Sequence, residues 1–179
     1  MSLSEERERW ELLPGAGLGP LRLGMNPTEV ADAIQISEPQ KRVGGPYGQE
    51  DFADGVKVFY DAGKVACIAL DAVTGPQVFL AGFALAGRDP EQAHQFLLDY
   101  ADEHGSCLLY TPDCSLSLTD LGLLLRSQEV EDVRLSCPLL VMEEWLESEY
   151  YRDRLPLEGE AGHDAELGDL IWRRRLRRP

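Results

Sequence analysis

Two segments of the chain start a helix in the same way, and this repetition constrains the fold more than any other feature. Gly24-x-Asn26-Pro27-x-Glu29-Val30-x-x-Ala33-Ile34 is followed 63 residues later by Gly87-x-Asp89-Pro90-x-Gln92-Ala93-x-x-Phe96-Leu97. In each, Asn or Asp can cap the helix, proline fits the first helical position, and Glu or Gln stands where a capping box needs it. Apolar residues then recur at helical spacing: Val30, Ala33 and Ile34 in the first copy, and Ala93, Phe96, Leu97, Tyr100 and Ala101 in the second, which Gly105 ends. Any strand-to-helix junction favours such capping residues, so the match alone does not prove a duplication; the shared glycine and apolar register favour one. In either case a lone amphipathic helix cannot hide its apolar stripe. Two of them on a common sheet can.

The rest of the chain supplies that sheet. Strands are expected at 10–13, 21–23, 56–60, 65–70, 78–85, 108–110, 121–127 and 133–141, with a loop over 44–55. Asp61-Ala62-Gly63-Lys64 reads as a three-residue hairpin loop with Gly63 left-handed. The strand at 65–70 is apolar on both faces and belongs in the sheet interior, whereas Pro138 favours an edge position for the last strand. Residues 143–151 read as an acidic helix and 156–163 as a loop. Asp164 would cap a final helix carrying Leu167, Leu170 and Ile171 and ending in Arg173, Arg174, Arg175, Leu176, Arg177 and Arg178. The expected fold is α+β: a mainly antiparallel sheet with two helices packed on one face and C-terminal helices appended. Residues 1–155 form one domain, compatible with repeat units 10–75 and 76–142, and 156–179 form a loop plus an Arg-rich helix.

The run Leu21-x-Leu23-Gly24-Met25-x-Pro27-x-Glu29-Val30 resembles the start of the small helix-plus-sheet domains of outer-membrane assembly lipoproteins and secreted beta-lactamase-inhibitor proteins. The inhibitors are tandem copies of such a domain, and the resemblance implies a sheet surface that binds a protein. It covers about a dozen residues closely. The chain departs from both families in lacking a signal peptide, a lipobox cysteine and an evident disulfide pattern. It is also similar in general character to uncharacterised cytosolic proteins of GC-rich bacteria, some of them immunity-like; its 14 arginines against three lysines fit such a genome.

Charge narrows the function. The 179 residues carry 17 basic and 32 acidic side chains, a formal net charge of −15, which repels nucleic-acid backbones. No apolar run is long enough to span a bilayer, and the charged first 13 residues contain no apolar core of a signal peptide. Cys67, Cys107, Cys114 and Cys137 show no zinc spacing and read as reduced thiols of a cytoplasmic protein.

Catalytic signatures are lacking. Gly15-x-Gly17-x-Gly19 is followed by Pro20-Leu21-Arg22-Leu23 rather than by a helix, so it reads as a turn and not as a phosphate loop. His94 and His104 lie about 280° apart around one helix and make poor metal partners. His104, near the helix C-terminus, is explained by a dipole contact or partial burial. His163 falls in a loop. Asp51, Asp54, Asp61 and Asp71 lack calcium-loop spacing and read as solvated acids. No catalytic residue, metal site or cofactor is assigned.

The clearest binding candidate is an acidic and aromatic surface. Residues 129–169 hold 13 acids and three arginines. Within them Glu143, Glu144, Trp145, Glu147, Tyr150 and Tyr151 would offer rigid rings and steering carboxylates to a basic protein, with Tyr47 and Asp51, beside Glu50 and Phe52, extending the surface. The arginine tail reads as drawn to the acidic body or simply solvated, with anionic lipid, nucleic acid or a neighbouring subunit as the alternatives. The leading expectation is a non-catalytic protein-binding module, immunity- or inhibitor-like. The alternatives are a small hydrolase or transferase using dispersed carboxylates and His, and a self-associating structural protein; a homodimer is compatible with all three readings.

Overall fold

A computed structural model describes residues 7–35, 39, 41–43, 48–110, 115–142 and 173–175, with the backbone alone at 43, 109 and 173–175. The order runs β1 (Arg9–Leu13), β2 (Gly17–Leu18), β3 (Leu21–Arg22), α1 (Pro27–Ile34), β4 (Lys41–Val43), β5 (Gln49–Phe52), β6 (Val56–Asp61) and β7 (Lys64–Leu70). It continues through β8 (Gln77–Leu80), β9 (Phe83–Ala84), α2 (Pro90–His104), β10 (Leu108–Tyr110), β11 (Leu116–Leu118), β12 (Leu123–Val130), β13 (Val133–Val141) and β14 (Arg173–Arg175). A 3-10 turn at Thr119–Leu121 precedes β12. The fold is α+β with mostly antiparallel sheets.

Nine strands form one antiparallel sheet in the order β14-β10-β11-β12-β13-β7-β6-β5-β4. A second sheet, β3-β2-β1-β8-β9, contains the single parallel pair among the described strands, β1 with β8. After each helix comes a run of four antiparallel strands, and the two runs meet where their last strands pair, Leu140 opposite Ile68. The aligned segments before the helices dock alike. Gly24 N–H donates to Val65 O and Val65 N–H to Met25 O (2.9 and 2.8 Å); Gly87 N–H donates to Ser136 O and Ser136 N–H to Arg88 O (both 2.8 Å).

Both helices start where the sequence predicts, but only the first forms the expected capping box; at α2 the Gln92 side chain does not close one. Asn26 and Glu29 close a reciprocal capping box, and Asp89 caps α2 by accepting from Glu91 N–H. Val30 of α1 and Ala93, Leu97 and Ala101 of α2 share one core with Val58, Ile68, Leu123 and Leu140, so both helices pack on the same face of the large sheet. The next residues along those strands, Phe59, Cys67, Leu124, Leu139 and Val141, alternate to the opposite face and form a second buried cluster. This two-faced burial explains the interior position of β7.

Several expectations are corrected. Residues 49–52, expected as loop, are strand: Glu50 points inward beside Phe52, so the alternation hides an acid at a core position. Its carboxylate accepts from Tyr60 Oη (2.7 Å) and Arg42 Nε (2.8 Å), which satisfies it. The 61–64 hairpin turns on two residues, Ala62 and Gly63, both at positive φ, with Asp61 already paired to Lys64. The expected strand 78–85 is a hairpin bent at Ala81 and Gly82. The strand expected at 121–127 starts at Leu123 because Leu121 ends the 3-10 turn. β13 is not an edge strand. Ser136 spends its N–H on the Arg88 side, the β7 ladder starts at Leu139, and Pro138 fills the gap where no N–H is needed. Arg173–Arg175, expected to end a helix, are extended and pair with β10. The helices expected at 143–151 and 164–172 lie outside the described residues.

Candidate functional site

Most of the acidic and aromatic candidates, Tyr47, Glu143, Glu144, Trp145, Glu147, Tyr150 and Tyr151, lie outside the described residues, as do Cys114 and His163. Asp51 stands on β5 opposite Lys57 and accepts from Gln49 Nε2 at 2.8 Å. Its neighbours Glu50 and Phe52 are buried on the helix side, so they extend no outer surface.

An acid-and-aromatic surface is instead displayed by α2. Residues four apart on a helix share a stripe, and Gln92, Phe96, Tyr100 and His104 form one about 18 Å long. Phe83 of β9 stacks on Phe96 (centroids 4.1 Å apart, planes at 6°), and Arg88 lies 4.4 Å above Phe83 with its Nε donating to Ala84 O. Tyr100 tilts against Phe96 at 6.3 Å, and the His104 ring stacks on Tyr100 at 4.0 Å, with Nδ1 2.9 Å from Tyr100 O. Phe83, Phe96 and Tyr100 are half-buried: seated on the core, yet open to solvent. Beside them Glu91, Gln95, Asp99 and Glu103 form the exposed crest, where Gln95 Nε2 donates to Asp99 Oδ1 at 3.0 Å. On the other flank His94 Nε2 lies 3.2 Å from Tyr110 Oη. The spacing of these residues was present in the sequence. Reading Phe96 and Tyr100 only as core residues concealed it.

The opposite face of the large sheet holds a hollow of about 290 Å³, lined among others by Asp51, Lys57, Ala69, Asp71, Arg126 and Cys137. Asp71 is no solvated acid. Its Oδ1 accepts from Val73 and Thr74 N–H and its Oδ2 from Gln128 Nε2, all at 2.9 Å. Burial alone would raise this carboxyl, but the Thr74, Gln128 and Val73 bonds hold it below its ordinary value. A depressed carboxyl contributes stability above the unfolded value, about 3.9, that disappears as pH falls through the folded one. Asp71→Asn should therefore be clearly less stable than wild type at about pH 6, with a smaller gap at about pH 3, read as urea midpoints. An unchanged gap would remove Asp71 from the acid response. Burial pushes the Cys137 thiol up to about 11; Asp71 adds to the rise while Arg126 and Lys57 oppose it. Such a thiol stays protonated near neutrality and is a poor nucleophile.

Cys67, Cys107 and Cys137 are free thiols. Among the described residues, no group of three or more His, Cys, Asp or Glu side chains is placed to hold a metal ion, and no helix is long and apolar enough to cross a membrane. Comparison with known proteins found no matching family, no matching curated protein and no matching solved structure.

Proposed function

We propose that the chain is a non-catalytic protein-binding module of immunity- or inhibitor-like type, acting in the cytoplasm and receiving a basic segment of another protein. The observation that carries this reading is the paired arrangement on α2: a stacked row of planar side chains beside a crest of carboxylates. Rings held in place by stacking lose little entropy when a partner covers them, and carboxylates around them steer a cationic partner and reject an acidic one. Rings in this fold also accept guanidinium groups. Arg9 lies 3.9 Å over Phe79, as Arg88 lies over Phe83. The formal charge of −15 adds long-range attraction, and three free thiols suit a reducing compartment. The surface expected at Glu143–Tyr151 remains part of this proposal as a second contact region.

The test compares immobilised wild type with Asp99→Lys/Glu103→Lys and with Tyr100→Ala, each verified as folded, for capture of proteins from a lysate of the source organism at low and high salt. A basic protein retained by wild type should be recovered about tenfold less by either variant, a difference of about 1.4 kcal/mol, and less again at high salt. Equal recovery by all three baits would overturn the α2 surface as the binding site.

A further inference from the structure

We propose that the hollow on the face of the nine-stranded sheet opposite α1 and α2 is a binding site for a small carboxylate of hydroxy- or amino-acid type, held between Lys57 and Arg126. The proposal is independent of the protein-binding reading, which rests on the other side of the molecule.

The hollow exists because of one small side chain. Lys57, Ala69 and Leu139 are successive cross-strand partners on β6, β7 and β13, so their side chains share a face. Two residues further along each strand, the same face carries Phe59, Cys67 and Val141, which close it with buried apolar groups. At Ala69 the floor drops, and the space above it, about 290 Å³, sits at the small end of the range of ligand pockets, about 300–1,000 Å³.

The lining carries two cations, Lys57 and Arg126, and two carboxylates, Asp51 beside Lys57 and Asp71. Lys57 stands directly beside Ala69. Arg126 pairs across β12 and β13 with Cys137, and it shares a face with Leu124, the partner of Leu139. Arg126 is only 7% exposed although it lines the hollow, so a planar donor fork is held there in a partly desolvated setting, where bonds to a carboxylate are strongest. Both cations have other interactions as well. A guanidinium carries five N–H donors and an ammonium three, so each can serve more than one partner at once.

The rim selects against a bare anion. Asp71 keeps its negative charge at a fixed position because Val73, Thr74 and Gln128 hold both of its oxygens. A ligand with a carboxylate at one end and a hydroxyl or ammonium at the other satisfies both poles: the carboxylate meets the cations and the donor faces Asp71. A dianion without a donor is repelled there, and a simple diamine is repelled by the cations.

The test is a titration of the full chain, followed by ¹H–¹⁵N amide shifts, with L-serine, L-lactate, acetate and putrescine. Saturable shifts confined to residues 55–57, 69–74 and 126–128 are expected with serine or lactate, weaker ones with acetate and none with putrescine. Serine against lactate distinguishes the amino-acid from the hydroxy-acid source. Lys57→Gln should weaken binding about tenfold or more, through loss of a charged hydrogen bond. Ala69→Leu should abolish it by filling the floor; where that variant fails to fold, Lys57→Gln decides alone. Absence of saturable shifts with every carboxylate, or affinity unchanged in Lys57→Gln, would overturn the site.

Discussion

Gly87→Ala is expected to cost about 2–4 kcal/mol of stability, and Gly24→Ala only about 1–2 kcal/mol. The two glycines precede their helices at matching positions and make matching backbone bridges, so a reading from sequence alignment alone predicts equal costs. Both are left-handed, at φ +90° for Gly24 and +71° for Gly87, and an L side chain in that region carries a penalty of about 1–2 kcal/mol. Their surroundings differ. A Cβ on Gly24 meets nothing within 4 Å, whereas one on Gly87 comes to 2.7 Å from the carbonyl oxygen of Ala72. That atom is backbone and cannot rotate away. The bridge from Gly87 N–H to Ser136 O, and the Ser136 hydroxyl that donates to Leu85 O at 2.6 Å and accepts from Arg88 N–H at 3.0 Å, tie the segment from several sides. Relief therefore requires stretching buried hydrogen bonds, and the overpacking adds to the conformational cost. Urea midpoints of the two variants, measured with unchanged m-values, give the comparison. Equal losses would mean that the 85–88 segment shifts freely and that left-handed strain alone sets the cost.

The parts of the fold legible in the sequence are those governed by local rules. Asn26-Pro27 and Asp89-Pro90 mark helix starts because capping is decided within four residues. Val65–Leu70 announces an interior strand because both of its faces are apolar. The misread parts depend on distant partners. Glu50 looks like a loop residue until Tyr60 and Arg42 arrive to satisfy its carboxylate. Ala81 gives no turn signal, since its positive φ is imposed by the hairpin it closes and not by its own preference. Pro138 forbids a hydrogen bond only on one side of one residue, and whether a neighbour needs that bond is set by where β7 ends. The extended conformation of Arg173–Arg175 depends on β10, more than sixty positions earlier in the chain. The candidate surface shows the same division. The four-residue spacing of Phe96, Tyr100 and His104 is in the sequence, but that their row is half-open to solvent depends on how deeply α2 sits and on Phe83 arriving from β9.

Leu97 is the large fully buried side chain of α2, so Leu97→Ala is expected to be the most damaging single truncation in the helix, at about 3–5 kcal/mol. The buried stripe of the helix is Ala93, Leu97 and Ala101, with Leu97 fully inaccessible. The two alanines bring the helix backbone close to β11, β12 and β13, and Leu97 is the one large side chain of α2 that is fully buried against them. Alanine there leaves a cavity that neighbours pinned in a nine-stranded ladder cannot collapse to fill, which places the loss in the upper part of the range for such truncations. Phe96→Ala provides the contrast. Its ring is half-buried and stacked on Phe83, so removal forfeits a surface aromatic pair of about 0.5–1.5 kcal/mol plus partial burial. The two variants should separate stability from recognition: Leu97→Ala lowers the urea midpoint strongly while the protein that remains folded still captures the partner, and Phe96→Ala lowers it slightly while capture falls. If Phe96→Ala proved as destabilising as Leu97→Ala, the aromatic row would be part of the core, and the α2 surface would lose its claim to be a binding face.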